Sequence, residues 1–271
     1  MCGIVGGIAE RNLVPILLEG LRRLEYRGYD SSGIAVQGDD KSLKRIRSLG
    51  KIKKLQDKID QDIDALSGTL AIAHTRWATH GKPSENNAHP HISNDSVAVV
   101  HNGIIENYQN LKQKQQKLGY VFESETDTEV VAHAIHAHLS TEHDLFTAVK
   151  QAIAEFEGAY AIGVIDKDDS NTLIAARKGS PLVIGLGIGE NFIASDVSAL
   201  LPVTQNFIFL EDGDIAKISR EQILIFDAQG QPVDRPIKQS NLSATAVELG
   251  EHKHYMHKEI FDQPQAVIDT L

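Results

Sequence analysis

From residue 158 onward the apolar residues come in short runs broken by turn formers: 159–165, 172–176, 182–186, 192–194, 207–210, 214–218 and 223–226. Runs of that length at hairpin spacing predict antiparallel strands, because a short connection reverses a chain but cannot carry it across to a parallel neighbour. The first half mixes periods. Leu13, Ile16, Leu17, Leu21 and Leu24 recur at helical spacing behind Asn12, a good cap, with Pro15 tolerated in the first turn. Further helices are expected over 51–63, through Leu111 and Leu118, through Val130, Val131, Ala134, Ile135 and Leu139, and over 145–156. Thr126 and Glu129 match a capping box for the third of these. Apolar strands are expected at 3–8, 32–36, 68–74 and 97–100, with a polar loop over 75–94. Many strands with two sets of helices imply an α+β fold. The expected form is a layered α-β-β-α sandwich of two stacked, largely antiparallel sheets flanked by helices.

The chain has 271 residues, 41% of them hydrophobic, enough for a substantial core. After Asp227 the composition turns polar, with Pro232 and Pro236, and 252–271 looks helical but offers little to a core. The expected organisation is therefore a domain over 1–240 and a connector over 241–271 leading to a partner domain. With 27 basic against 37 acidic residues, the net charge of −10 weighs against a nucleic-acid surface. The densest basic stretch, 41–58, reads as a solvated helix face. No export signal and no apolar run of about eighteen residues is found, so no membrane partner is expected and the default location is cytoplasmic. One cysteine forbids an internal disulfide and suits a reducing compartment.

That cysteine is Cys2, directly behind Met1. Loss of one residue would put a thiol and an α-amine on the same amino acid. An α-amine with a reference pKa of about 7.7–8.0 can accept a proton near neutrality, and a thiol near 8.5 becomes a nucleophile once its proton is gone. The strand that follows would hold such a terminus in place.

Four polar and glycine-containing stretches lie at the ends of apolar runs, where a layered fold tends to place a site: 27–30, 74–81, 101–103 and 124–127. Together with Cys2, and in order and spacing, they resemble the glutaminase domain of the class II glutamine amidotransferases, which are N-terminal-nucleophile hydrolases. The resemblance covers nearly the whole chain. Within that class, Tyr26-Arg27-Gly28-Tyr29-Asp30-Ser31, the stretch from Thr75 to Gly81, the stretch from His101 to Asn107, the stretch from Ser124 to Glu129 and the stretch from Gly179 to Gly185 are similar to the branch that aminates fructose-6-phosphate. Phosphoribosyl-pyrophosphate and asparagine-forming branches, and a non-catalytic glutamine-binding module, are the alternatives.

The resemblance implies that Cys2 attacks the amide of L-glutamine, with Asn102 and Gly103 as the oxyanion hole. It implies that Arg76, with Thr79 and His80, takes the substrate carboxylate, that Asp127 takes its ammonium, and that Trp77 lies in a covering loop. Arg27 and Gly28 are supports near the terminus. It further implies a sugar-phosphate isomerase domain in a longer polypeptide and a homodimer of that polypeptide. No cofactor is expected. His80, His89, His91, His101, His252, His254 and His257 lack typical zinc spacing, so no metal is expected either.

Overall fold

The computed structural model describes residues 2–38, 40–61, 66–78, 81–241, 260, 261 and 263. Contacts divide the chain into Met1–Ser240 and Asn241–Leu271. In the second unit Ile260, Phe261 and Gln263 are helical and exposed.

The first unit runs β1 (Gly3–Ile8), α1 (Val14–Leu24), β2 (Ser31–Gln37), β3 (Leu43–Leu49), α2 (Ile52–Asp60), β4 (Leu70–Arg76), β5 (His91–Ser93), β6 (Val97–Ile105), α3 (Tyr108–Lys117), α4 (Glu129–Glu142), α5 (Leu145–Ile153), β7 (Gly158–Asp166) and β8 (Asp169–Lys178). It continues as β9 (Val183–Leu186), β10 (Asn191–Ala194), β11 (Asn206–Phe209), β12 (Ile215–Ile218), β13 (Ile223–Phe226), β14 (Pro232–Val233) and β15 (Ile237–Gln239). One sheet has the order β15-β11-β9-β10-β1-β4-β2-β3, the other β14-β13-β12-β8-β7-β6-β5. Every pairing of these strands is antiparallel.

Alternation along the strands builds the layers. Ile4, Ile8, Leu70, Ile72, Ala98, Val100, Ala161 and Ile193 form the core between the sheets. Val97, Val99, Ile162 and Val164 point the other way, onto Val130, Val131, Ile135, Leu145 and Val149 of α4 and α5. α1 packs on β1 and β4 and buries Val14, Leu17, Leu18, Leu21 and Leu24. Its first turn is capped as expected, since Asn12 Oδ1 accepts the Val14 N–H at 3.1 Å. The result is the layered α-β-β-α sandwich.

Three local expectations need correction. The basic stretch is not a helix throughout: residues 43–49 form the edge strand β3, in which Arg45 and Arg47 share a face and are partly buried. The polar loop holds a short strand, β5, paired to β6. Thr126 does not cap α4, whose helical residues begin at Glu129; instead the Glu129 carboxylate reaches back to the backbone N–H groups of Glu123 at 2.9 Å and Ser124 at 2.8 Å. Neither half of the expected box forms, since the Thr126 N–H donates to Ser124 Oγ instead. Among the described residues no helix is long and apolar enough to cross a membrane.

Candidate active site

β1 lies inside its sheet with β4 on one side and β10 on the other. Its backbone is bonded almost to its first residue, because Ser195 supplies both its own N–H to the Ile4 carbonyl at 3.0 Å and its hydroxyl oxygen to the Ile4 N–H at 3.0 Å. Gly3 is required to be small: a β-carbon there would lie 2.8 Å from Thr75 and 2.9 Å from Leu24. Cys2, just before this strand, is half-buried, and the Trp77 N–H donates to its Sγ at 3.3 Å. Burial pushes the thiol above its ordinary pKa, and the Trp77 N–H works against that rise. A thiol held up in this way attacks once a base has taken its proton.

Asn102 arrives from the other sheet. On β6 it sits on the face opposite Val99 and His101, and its Nδ2 donates to the Cys2 carbonyl at 3.2 Å while its Oδ1 lies 3.0 Å from His74 Nε2. Gly103 follows with φ of 130°, and a β-carbon there would run into the Ala159 carbonyl on β7. Only glycine fits that backbone at that distance.

Two opposite charges flank the nucleophile. Arg76, the last residue of β4, is buried, and its Nη2 donates to the Gly81 carbonyl at 3.3 Å. Burial lowers its pKa, and Cys2, Asp30 and Asp127 draw it back up. Asp127 is buried too, with Oδ2 accepting the Ile105 N–H at 2.8 Å. The fields of Arg76 and Asp127 act on the Cys2 thiol in opposite senses, downward and upward.

The segment after Arg76 is clasped from behind. Asp30 Oδ2 accepts the Ala78 N–H at 2.6 Å, and the Asp30 N–H donates to the Arg76 carbonyl at 3.1 Å. Gly28 packs so closely that a β-carbon would sit 2.8 Å from the Arg76 carbonyl carbon and 2.9 Å from the Trp77 nitrogen. Trp77 is 46% exposed and meets Tyr29 edge-on at 6.1 Å between ring centroids. Arg27 is turned elsewhere: it pairs with Asp196 at 3.0 Å and donates to the Ser195 carbonyl at 3.5 Å. It therefore braces the segment that holds β1. Thr79 and His80 lie outside the described residues.

Cys2, Arg76, Asn102 with Gly103, and Asp127 thus come from four separate stretches of chain to one place between the ends of the two sheets. Sequence reasoning missed Asp30, His74, Ser195 and Asp196 as parts of this assembly. Asp30 and His74 stood inside stretches already singled out; Ser195 bonds to the Ile4 backbone and Asp196 to Arg27 from a segment far along the chain, which leaves no local pattern to read. Four buried imidazoles cluster behind the site. His74 stacks on His89 at 4.1 Å between centroids, and His89 meets His91 at 4.9 Å and His101 at 6.5 Å. Burial drives His74 and His91 down to about 3.

Comparison with known proteins points to a family. A family described as a glutamine amidotransferase domain matches residues 74–202. Over all 271 residues the chain is 57% identical to a glutamine–fructose-6-phosphate aminotransferase (isomerizing) of Acinetobacter baylyi and 56% identical to the protein of that name from Idiomarina loihiensis, covering 44% of each. The chain thus spans less than half the length of these curated relatives. Among solved structures it is similar to a glutamine phosphoribosylpyrophosphate amidotransferase from B. subtilis, with a TM-score of 0.71 and 27% identity over 83% of this chain and 49% of that one.

Proposed function

The chain belongs to the glutamine amidotransferase domain family, and from that premise we propose that it hydrolyses the side-chain amide of L-glutamine to glutamate and ammonia through Cys2. The observation that carries the reading is the meeting of the Cys2 thiol, an amide N–H from Asn102, a buried cation and a buried anion at one point.

Removal of Met1 leaves the Cys2 α-amine as the base. The amine takes the thiol proton, the sulfur attacks the amide carbon, and the carbonyl oxygen gathers negative charge. Asn102 Nδ2 and the Gly103 N–H are the donors for that oxygen, each contributing about 3–4 kcal/mol in comparable sites. The carbon–nitrogen bond then breaks, the amine's proton leaves on ammonia, and a γ-glutamyl thioester remains. Water, deprotonated by the same amine, adds to the thioester, and the carbon–sulfur bond breaks to release glutamate.

Arg76 suits the substrate α-carboxylate, since a guanidinium fork binds a carboxylate with two parallel bonds, and Thr79 and His80 are placed by sequence next to it. Asp127 suits the α-ammonium. A ligand lacking either charge forgoes a charge-assisted pair with a buried group, so amides without both charges are poor substrates. Trp77 covers the bound ligand, Gly28 lets its loop close, and Arg27 braces the sheet beneath.

The far higher identity to the fructose-6-phosphate enzymes than to the phosphoribosylpyrophosphate enzyme supports fructose-6-phosphate as the final acceptor of the ammonia. Residues 1–240 are then the glutaminase domain and 241–271 a connector to a sugar-phosphate isomerase domain of a longer, homodimeric, cytoplasmic polypeptide. A glutamine-mimicking diazo-ketone should label Cys2 alone, with loss of Met1 seen by intact mass and ammonia release abolished by Cys2→Ala. Glutamine hydrolysis undiminished in Cys2→Ala would refute the proposal.

A further inference from the structure

Resting on the glutaminase reading, we propose that His74 is the positioning residue that, opposite the Cys2 carbonyl, holds the donating end of the Asn102 amide toward the nucleophile. An asparagine amide has two ends of nearly the same shape, one donating and one accepting. Only the donating end can stabilise a developing oxyanion; the other end would repel it. Something must choose between them.

The hydrogen-bond network makes the choice. The Cys2 carbonyl, 3.2 Å away, has no hydrogen to offer, so the group facing it is Nδ2. Oδ1 then faces His74 Nε2 at 3.0 Å and must accept from it. The His74 proton is therefore on Nε2, and its buried Nδ1 makes no hydrogen bond of good geometry among the described residues, the ring's further contact being with the His101 backbone. A ring with its proton on Nδ1 would set two lone pairs against each other at Oδ1 and release the amide to turn.

The ring is itself locked. It lies fully buried at the register position opposite Ile4, stacked at 15° on His89. His89 Nδ1 accepts the His101 N–H at 3.3 Å, so its proton is on Nε2, facing the Thr128 hydroxyl oxygen at 3.3 Å. The Thr128 hydroxyl in turn gives its hydrogen to His101 Nδ1 at 2.9 Å. These bonds fix the orientation of His89, and His89 holds the His74 ring by stacking alone. Burial keeps His74 and His89 neutral through any working pH. His74 takes no proton from the substrate; it acts through Asn102.

The test uses this chain and three readouts. H74F keeps a ring against His89 and removes the donor; kcat for glutamine hydrolysis should fall about 10- to 100-fold with KM within about twofold, since the lost interaction is made only with the transition state. H74Q, whose amide nitrogen falls near the place of Nε2, should recover most of that loss. In an N102A background H74F should change kcat by less than about twofold. Full kcat in H74F, or an equal further loss in N102A, overturns the proposal, because a merely structural role would act with or without Asn102. The third readout needs no variant that folds: imidazole ¹⁵N shifts of the unaltered protein should show His74 protonated on Nε2 alone, and an Nδ1-protonated ring overturns the assignment. Failure of the unaltered chain to hydrolyse glutamine would instead strike the glutaminase reading, leaving the NMR result to decide the His74–Asn102 pairing.

Discussion

In the mechanism proposed above Asn102 and Asp127 serve the substrate's two ends under different constraints, and each can be tested alone. Asn102→Ala removes one oxyanion donor and should lower kcat about 100- to 1000-fold with KM little changed, measured by steady-state ammonia release. Asp127→Asn keeps an oxygen for the Ile105 N–H and so preserves the local fold while deleting the charge. It should raise KM for glutamine at least about tenfold and leave thermal stability close to that of the unaltered protein; an unchanged KM would remove Asp127 from ammonium recognition. Residues of this kind were legible in sequence because they stand where apolar runs stop. His74 was not, since nothing in its local sequence tells an imidazole that holds an amide across two sheets from one that fills a core.

At the scale of elements, the loop after β4 shows where position comes from. Its path is set by Asp30 on a different strand's approach, through the 2.6 Å bond to Ala78 and the backbone bond back to Arg76. Asp30→Ala should loosen the Trp77–Ala78 segment, raising KM several-fold with a smaller effect on kcat; hydrogen exchange at the Ala78 amide should rise with it. Most helices and strands could be read from periodicity, including the run of short strands from residue 158. β3 could not, because Leu43, Ile46 and Leu49 fall three apart among Lys44, Arg45, Arg47 and Ser48, a spacing and charge that mimic a solvated helix rather than a period of two. The capping box at Thr126 misled for a related reason. The motif names two partners, but Thr126 Oγ1 lies 3.1 Å from His91 Nε2 instead, leaving Glu129 to hold the backbone alone.

At the scale of the whole molecule, the buried histidine cluster makes the fold sensitive to acid. His74 and His91 are held near 3 by burial, against about 6.5 in an unfolded chain. Between those values the unfolded state binds protons that the folded state refuses, so stability is complete above about pH 6.5 and declines as pH falls toward 3. Each such ring costs about 1.4 kcal/mol per pH unit across that window. Urea midpoints should therefore drop measurably between pH 7 and pH 5; equal midpoints would mean that the rings are solvated. The layered architecture followed from strand and helix spacing alone, whereas the partnership of the two sheets at the site depended on register, which no single stretch of sequence reveals. That register has a consequence for how the protein can change. Ile4 and Ile8 are fixed inward by their register with β4 and β10, so one residue gained or lost between Cys2 and Ile4 would leave the strand in place and carry the sulfur away from Asn102. The opening of the chain is thus a measured length, closed to drift by insertion, and affinity tags belong at the other end.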